Sequence, residues 1–298
     1  MTNSITKAVI TAAGLGIRSL PASKSIPKEM IPILNVPSMD LIVQEAIDSG
    51  VKEILIIVSS TKQSLIDYYH TNHNLEKHLV QKKRLDLLER IKLIGKGAKI
   101  RFKFQKEPKG LGDAIRLGKK FTGRDPFVVM LGDNIMSYGY KYPPVTKQLM
   151  DVYDKYHQST IAVETVDKNI VDKYGIIAPG EFIDSKRTLC NVTTMVEKPP
   201  INKAPSNLAI VGRYIFTSEI YHSINRTKLG TNGELQITDA IVDLLESQKV
   251  YALECKNQCY DIGRKEGLVK ITIDYALRDK CIKGTILSYI KQIAKENR

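Results

Sequence analysis

The chain has 298 residues, 43% of them hydrophobic, and a formal net charge of +13. That is enough for one large or two moderate domains with a real core, and the composition is ordinary for a globular protein. No run approaches the roughly 18 apolar residues of a membrane span. "MTNSITKAVI" has neither a charged n-region nor an apolar h-region, so no secretory signal is expected and the cytoplasm is the default compartment.

"KAVIT" (7–11) reads as a first strand, followed by "AAGLGIRSLPASKSIPKEM" (12–30). A dinucleotide fingerprint needs a third glycine and a helix. Here the third place is Ser19, and Pro21 and Pro27 argue against a long helix from Gly16. The Walker pattern is also absent. An extended loop is expected, with glycines that let backbone N–H groups approach an anion. Arg18, Lys24 and Lys28 suit a ligand with several phosphate oxygens, although each is also an ordinary surface charge.

"SMDLIVQEAIDSG" predicts a helix with Ser38 as N-cap and Gly50 as C-cap. A strand "EILIIV" (53–58) and a helix "KQSLIDYYH" follow. Residues 76–109 hold 12 Lys/Arg and 4 Asp/Glu, more than half the excess charge. Within them "EKHLVQKKRLDLLERIKLIG" predicts one amphipathic helix, its basic face either solvated or turned to an anionic partner. The spacing of His70, His73 and His78 fits no single helical face and suggests a solvated helix end.

"KIRFKF" (99–104), a helix "GLGDAIRLGKKF" (110–121), "PFVVML" (126–131) and "TIAVETV" (160–166) complete an alternation that argues for a parallel α/β sheet. The strand "PFVVML" runs into "GDN". A carboxylate just past the carboxyl end of such a strand lies where α/β sheets bind ligands. Asp133 is therefore a metal-ligand candidate, though Gly-Asp-Asn is also ordinary turn chemistry.

From 174 to 216 the text becomes strand-like and turn-rich, an inserted antiparallel portion within one sheet-centred domain. Helical periodicity returns in "LQITDAIVDLLESQ" (235–248), followed by a strand "VYALEC". "CYDIG" then offers Asp261 as a second carboxylate at a strand end. Two carboxylates, phosphate oxygens and water make an ordinary magnesium shell, but periodicity alone does not pair Asp133 with Asp261. Cys190, Cys255, Cys259 and Cys281 are too sparse for a disulfide framework. They read as buried or idle thiols. The segment "CIKGTILSYIKQIAKENR" suggests a helix that docks on the chain itself or on a partner subunit.

The loop "AAGLGIRSLPASKSIPKEMIP" resembles the signature of the sugar-phosphate nucleotidylyltransferases, and within them the bacterial and archaeal uridylyltransferases acting on glucose 1-phosphate. "PKEM", "QKEPKGLGDA", "YGII", "VEKP", "SNLAIVGRY" and "GELQITDAI" follow in the family's order, from about Lys7 to about Lys280. The resemblance implies an α/β fold: a Rossmann-like nucleotidyltransferase core, its sheet mixed and mainly parallel, with a β-rich sugar-binding portion and C-terminal helices. A catalytic domain over 1–280, with its sugar-binding portion at about 165–235, and a helical tail over 281–298 are expected.

The resemblance also implies roles. The Ala13–Gly14 backbone and Gln105 would read uracil, with Gly110 packed against the nucleoside. Arg18 and Lys28 would hold the triphosphate, and Asp133 and Asp261 would hold Mg2+. Gly175 and Glu197 would bind glucose hydroxyls, and Lys198 the sugar phosphate. The implied reaction turns UTP and glucose 1-phosphate into UDP-glucose and pyrophosphate, in a homo-oligomer, dimer or tetramer. Three positions depart from the family pattern: Ile17 stands where Thr is usual, "LGDN" surrounds Asp133, and Asp113 stands where His is common. They leave dTTP, and hence a thymidylyltransferase, as the alternative to UTP. A basic nucleic-acid-binding protein is a remoter reading. No RNA-binding motif or aromatic stacking platform supports it, and the chain has no Trp. A catalytically dead sensor fits poorly with Lys28, Asp133, Lys198 and Asp261 all in place.

Overall fold

In the computed structural model, which describes residues 5–139, 141–230 and 233–297, β1 (Lys7–Ala12) is flanked on both sides by parallel strands. The first four residues, used above in reading the N-terminus, and Arg298 of the tail lie outside the described residues. The loop after β1 is not extended as expected. It folds into three single 3-10 turns, Ile17–Ser19, Ala22–Lys24 and Lys28–Met30, with Pro21 and Pro27 just ahead of the second and third. Proline's fixed φ and missing N–H forbid a continuing helix but suit the entry to a short turn.

A hairpin of β2 (Pro32–Ile33) and β3 (Val36–Pro37) leads into α1 (Ser38–Asp48). Pro37, not Ser38, occupies the N-cap. Ser38 is already helical, and its hydroxyl donates to the Glu29 carbonyl at 2.9 Å, tying the loop to the helix. Ser49, not Gly50, is the C-cap, and Gly50 follows it at φ 99°, where a glycine ends the helix.

Next come β4 (Glu53–Val58), α2 (Gln63–Tyr69), α3 (His73–Gln81), α4 (Leu85–Lys92) and β5 (Lys99–Phe104). The single basic helix is thus two, broken at Lys82–Arg84 with Lys83 at φ 56°. Leu79 and Leu88 are the buried residues of α3 and α4. Nine residues of straight helix, about two and a half turns, would put them on opposite faces, and the break lets both turn inward. His70, His73 and His78 are exposed at the ends of α2 and α3.

The helix expected over 110–121 is likewise split, into α5 (Leu111–Arg116) and α6 (Lys119–Thr122). At Gly118 a Cβ would come within 2.9 Å of Val9 Cγ2, so only glycine lets the chain press this closely on β1. Then follow β6 (Phe127–Leu131), β7 (Asn134–Met136), α7 (Val145–Tyr156), β8 (Ser159–Thr165), β9 (Gly175–Phe182), β10 (Leu189–Glu197), β11 (Leu208–Phe216), α8 (Ile220–Arg226), α9 (Ile237–Leu245), β12 (Val250–Glu254), β13 (Cys259–Asp261), α10 (Lys265–Arg278) and α11 (Lys283–Glu296).

Among the described residues, nine strands form one mixed sheet in the order β5-β4-β1-β6-β11-β8-β12-β10-β9. Strands β5, β4, β1 and β6 are parallel, while β11 and the hairpin of β9 and β10 bring in antiparallel pairing. Alternate residues of each central strand serve two cores. Ile10, Ile56 and Met130 lie in one, and Val9, Ile57 and Val129 in the other. Burial on both faces is why these strands read as unbroken apolar runs. Edge strand β5 keeps its lysines, which discourage further pairing. Cys190 and Cys255 are buried, Cys259 is half-buried and Cys281 exposed. No helix among the described residues is long and apolar enough to cross a membrane.

Candidate active site

The carboxyl ends of β1 and β6 lie side by side at the centre of the sheet. Gly132 N–H donates to the Thr11 carbonyl at 2.9 Å, and a Cβ at Gly132 would stand 2.8 Å from that oxygen. This close approach sets Asp133 beside the loop after β1. The small ribbon of β7 and β13 then does what periodicity could not. It registers Asp261 opposite Asn134, and Ile262 N–H donates to the Asp133 carbonyl at 3.0 Å. The two carboxylates are thereby brought together.

Cations from the loop lie between them. Arg18 reaches Asp261 Oδ2 at 3.0 Å and Asp133 Oδ2 at 3.8 Å, and Lys28 Nζ donates to Asp133 Oδ2 at 2.6 Å. Burial pushes the Asp133 carboxyl up, but Lys28 and Arg18 outweigh it and hold it below the usual range. Burial likewise pushes the Lys28 ammonium down, and Asp133 and Glu29 overcome this and raise it. Lys24 and Ile17 are exposed.

Two cavities open on either side of Asp133. The smaller, about 280 Å³, is lined by Ala13, Gly14, Lys28, Gln105, Gly110 and Glu234 among others. The position a Cβ would take at Gly14 is open apart from Lys28 Nζ at 4.0 Å. Gly110, at φ 93°, is dictated by its neighbours. A Cβ there would meet Leu235 N at 2.7 Å, because Leu235 N–H donates to the Lys109 carbonyl and straps this segment down.

The larger cavity, about 800 Å³, is lined by Gly175, Glu197, Lys198, Arg18 and Asp261 together with Glu164, Tyr174, Thr238 and Arg264. Gly175 and Glu197 are register partners across β9 and β10. Glu197 accepts from Thr238 Oγ1 at 3.3 Å and lies 3.3 Å from Lys198 Nζ. A Cβ at Gly175 would approach Thr238 Cγ2 to 2.9 Å and Glu197 Oε2 to 3.1 Å. Lys198, at φ 45°, keeps a side chain that is 60% exposed.

Every residue to which the resemblance gave a role therefore lines one of two adjoining cavities, whereas Lys24 lines neither. Several neighbours were not anticipated. Arg264 donates to Asp261 Oδ2 at 3.1 Å and lies over the Tyr174 ring. The signal for it was a cation three residues past Asp261 at a helix start. Below the loop, Lys62 Nζ donates to both oxygens of buried Glu29 at 2.7 and 2.8 Å. Burial pushes the Glu29 carboxyl up and the Lys62 ammonium down. Deeper still, Arg213 holds Glu45 and donates to the Asn134 carbonyl at 2.7 Å, fixing the residue next to Asp133. No local pattern marks either pair.

The donor set fits a magnesium ion. Asp133 and Asp261 present oxygen only and are each 19% exposed, on the wall shared with the larger cavity. No third protein ligand stands with them among the described residues. This suits a metal that completes its shell with water and substrate phosphate.

The nucleotidyl transferase family model matches residues 7–277. A UTP–glucose-1-phosphate uridylyltransferase of Streptococcus pneumoniae serotype 4 is 46% identical over 99% of this chain and 98% of its own length. One from Streptococcus pyogenes serotype M3 is 44% identical over 98% and 97%. Among solved structures, the UTP-bound UGPase of Acinetobacter baumannii superposes with a TM-score of 0.87 at 34% identity, covering 99% of this chain and 100% of that one. A UDP-glucose pyrophosphorylase complexed with UDP-glucose gives 0.82 at 36% identity, over 92% and 100%.

Proposed function

The chain belongs to the nucleotidyl transferase family, and from that premise we propose that it transfers a uridylyl group from UTP to glucose 1-phosphate, giving UDP-glucose and pyrophosphate. The observation that carries this reading is the pair of cavities meeting at Asp133, with Arg18 and Lys28 at the junction. The smaller cavity suits the nucleoside, the larger suits the sugar, and the cations lie where the phosphates would meet.

In this reading Ala13, Gly14, Gln105 and Gly110 receive uridine. Arg18 and Lys28 hold the triphosphate. Gly175 leaves room for the sugar beside Glu197, which accepts hydrogen bonds from glucose hydroxyls, and Lys198 grips the sugar phosphate. Asp133 and Asp261 would hold Mg2+, which neutralises phosphate charge when bound. The attacking phosphate oxygen is already anionic, so the site needs no general base. The barrier is the approach of one anion to another. Arg18, Lys28 and Lys198 lower it by neutralising charge and fixing the line of attack.

The catalytic domain in this reading spans 1–280, with β9, β10 and β11 forming the sugar-binding portion within 165–235. The tail helix α11 buries none of its residues and exposes Leu287, Tyr289 and Ile293, which supports a homo-oligomer, dimer or tetramer. Light scattering on the purified chain tests that point.

A pyrophosphate-release assay across UTP, dTTP and several sugar 1-phosphates, with Mg2+ present, tests the activity. Turnover with UTP and glucose 1-phosphate is the expected result. A clear preference for dTTP would replace this reading with that of a thymidylyltransferase.

A further inference from the structure

Gln105 lines the smaller cavity and is only 6% exposed. Its Nε2 donates to Asp113 Oδ2 at 2.8 Å and approaches the Gly110 carbonyl at 3.4 Å. The other Asp113 oxygen, Oδ1, accepts from Arg116. A carboxylate offers no donor, so the amide nitrogen, not the oxygen, must face Asp113. Burial pushes the Asp113 carboxyl up, yet Arg116 and Gln105 hold it below its ordinary range, so it stays an acceptor at neutral pH. Gln105 Oε1 takes no hydrogen bond among the described residues. The amide therefore presents a bare acceptor to the cavity.

We propose that Asp113 is a positioning residue for base selection: it locks the Gln105 amide so that Oε1 accepts from a pyrimidine bearing N3–H, as uracil does, and repels cytosine, whose N3 carries a lone pair. This rests on the reading of the smaller cavity as the nucleoside site. Arg116 sharpens it. In Asp113→Asn, Arg116 still demands an oxygen at the Oδ1 place, which turns the new amide nitrogen toward Gln105. Two donors then face each other, and the Gln105 amide inverts to present its NH2 to the base.

The test is equilibrium titration of UDP and CDP, with Mg2+, onto the full chain. The wild type should prefer UDP, and Asp113→Asn should lower the UDP:CDP affinity ratio by about tenfold or more, the scale of one exchanged hydrogen bond in a closed site. Adding Arg116→Met to Asp113→Asn frees the Asn to rotate and should restore most of the preference. A general loss of packing at residue 113 would not be reversed by removing a second side chain. If Asp113→Asn fails to fold, Asp113→Ala should still lower the ratio several-fold, because the amide is then unlocked. A ratio within twofold of wild type in the folded variant, or no UDP preference in the wild type, overturns the proposal. Pyrophosphate release by the wild type is measured separately, so failure of the proposed reaction is distinguishable from failure of the lock.

Discussion

Lys28 Nζ and Asp133 Oδ2 stand 2.6 Å apart, joining the loop after β1 to the end of β6 across 105 residues. Each is the other's nearest counter-charge at the junction of the two cavities, and the proposed function gives each a separate task. Lys28→Ala should lower kcat/KM about 10²-fold, the scale of one preorganised donor. Asp133→Ala and Lys198→Ala should nearly abolish turnover while the circular dichroism spectrum is kept. Chelation by EDTA should stop turnover reversibly, with Mg2+ restoring it. Near-normal rates in purified Asp133→Ala would remove that residue from the metal site.

A second pair lies beneath the first. Arg213 and Glu45 are both fully or almost fully buried, and Glu45 also accepts from Thr146 N–H and Oγ1. Removing one partner leaves a charge in the core. Arg213→Met should therefore cost about 3–5 kcal/mol of stability. Arg213→Met with Glu45→Met should recover part of that loss, read by urea denaturation of the wild type and the two variants. Equal stability of the single and double variants would show that the charge pairing contributes nothing there.

These two pairs mark what the sequence could and could not disclose. The central strands were legible because burial on both faces forces unbroken apolar runs such as "EILIIV". Asp133 was legible because it lies just past the end of such a strand. Its partnership with Asp261 was not, since it depends on three-residue strands too short to show periodicity. Arg213 sits in the middle of a strand otherwise read as apolar, and only its contact with Glu45, 168 residues away, explains a charge there. Asp113 stood out as a departure from the family pattern, but its hold on Gln105 needed the turn at Gly110 to bring them together. The split of the basic helix was hidden because no Gly or Pro marks the break at Lys82–Arg84, and Leu85 and Leu88 keep a helical spacing after it.

Gly175 offers a test confined to the larger cavity. A Cβ there would press on Thr238 Cγ2 and Glu197 Oε2 and occupy the space beside the carboxylate assigned to the sugar. Gly175→Ala should raise KM for glucose 1-phosphate about tenfold, the scale of a misplaced hydrogen-bonded contact, and leave KM for UTP nearly unchanged. Equal rises in both constants, from initial-rate kinetics, would place the damage outside the sugar site.

Glu164 lines the same cavity, and burial pushes its carboxyl up to about 7 from an ordinary 4.5. Between those values the folded chain keeps a proton that the unfolded chain has released. Stability contributed by this group therefore falls as pH rises through the window and levels off above it. Asp113 acts in a lower window with the opposite slope. Its depressed pKa gives stability that is present above the unfolded value and lost as pH falls through the folded one. Glu164→Gln removes the upper effect alone. Relative to its difference from wild type at pH 4.5, the variant should gain about 3 kcal/mol by pH 8 in urea melts. A difference between the two proteins that does not change with pH would mean that Glu164 ionises in the folded chain as freely as in the unfolded one.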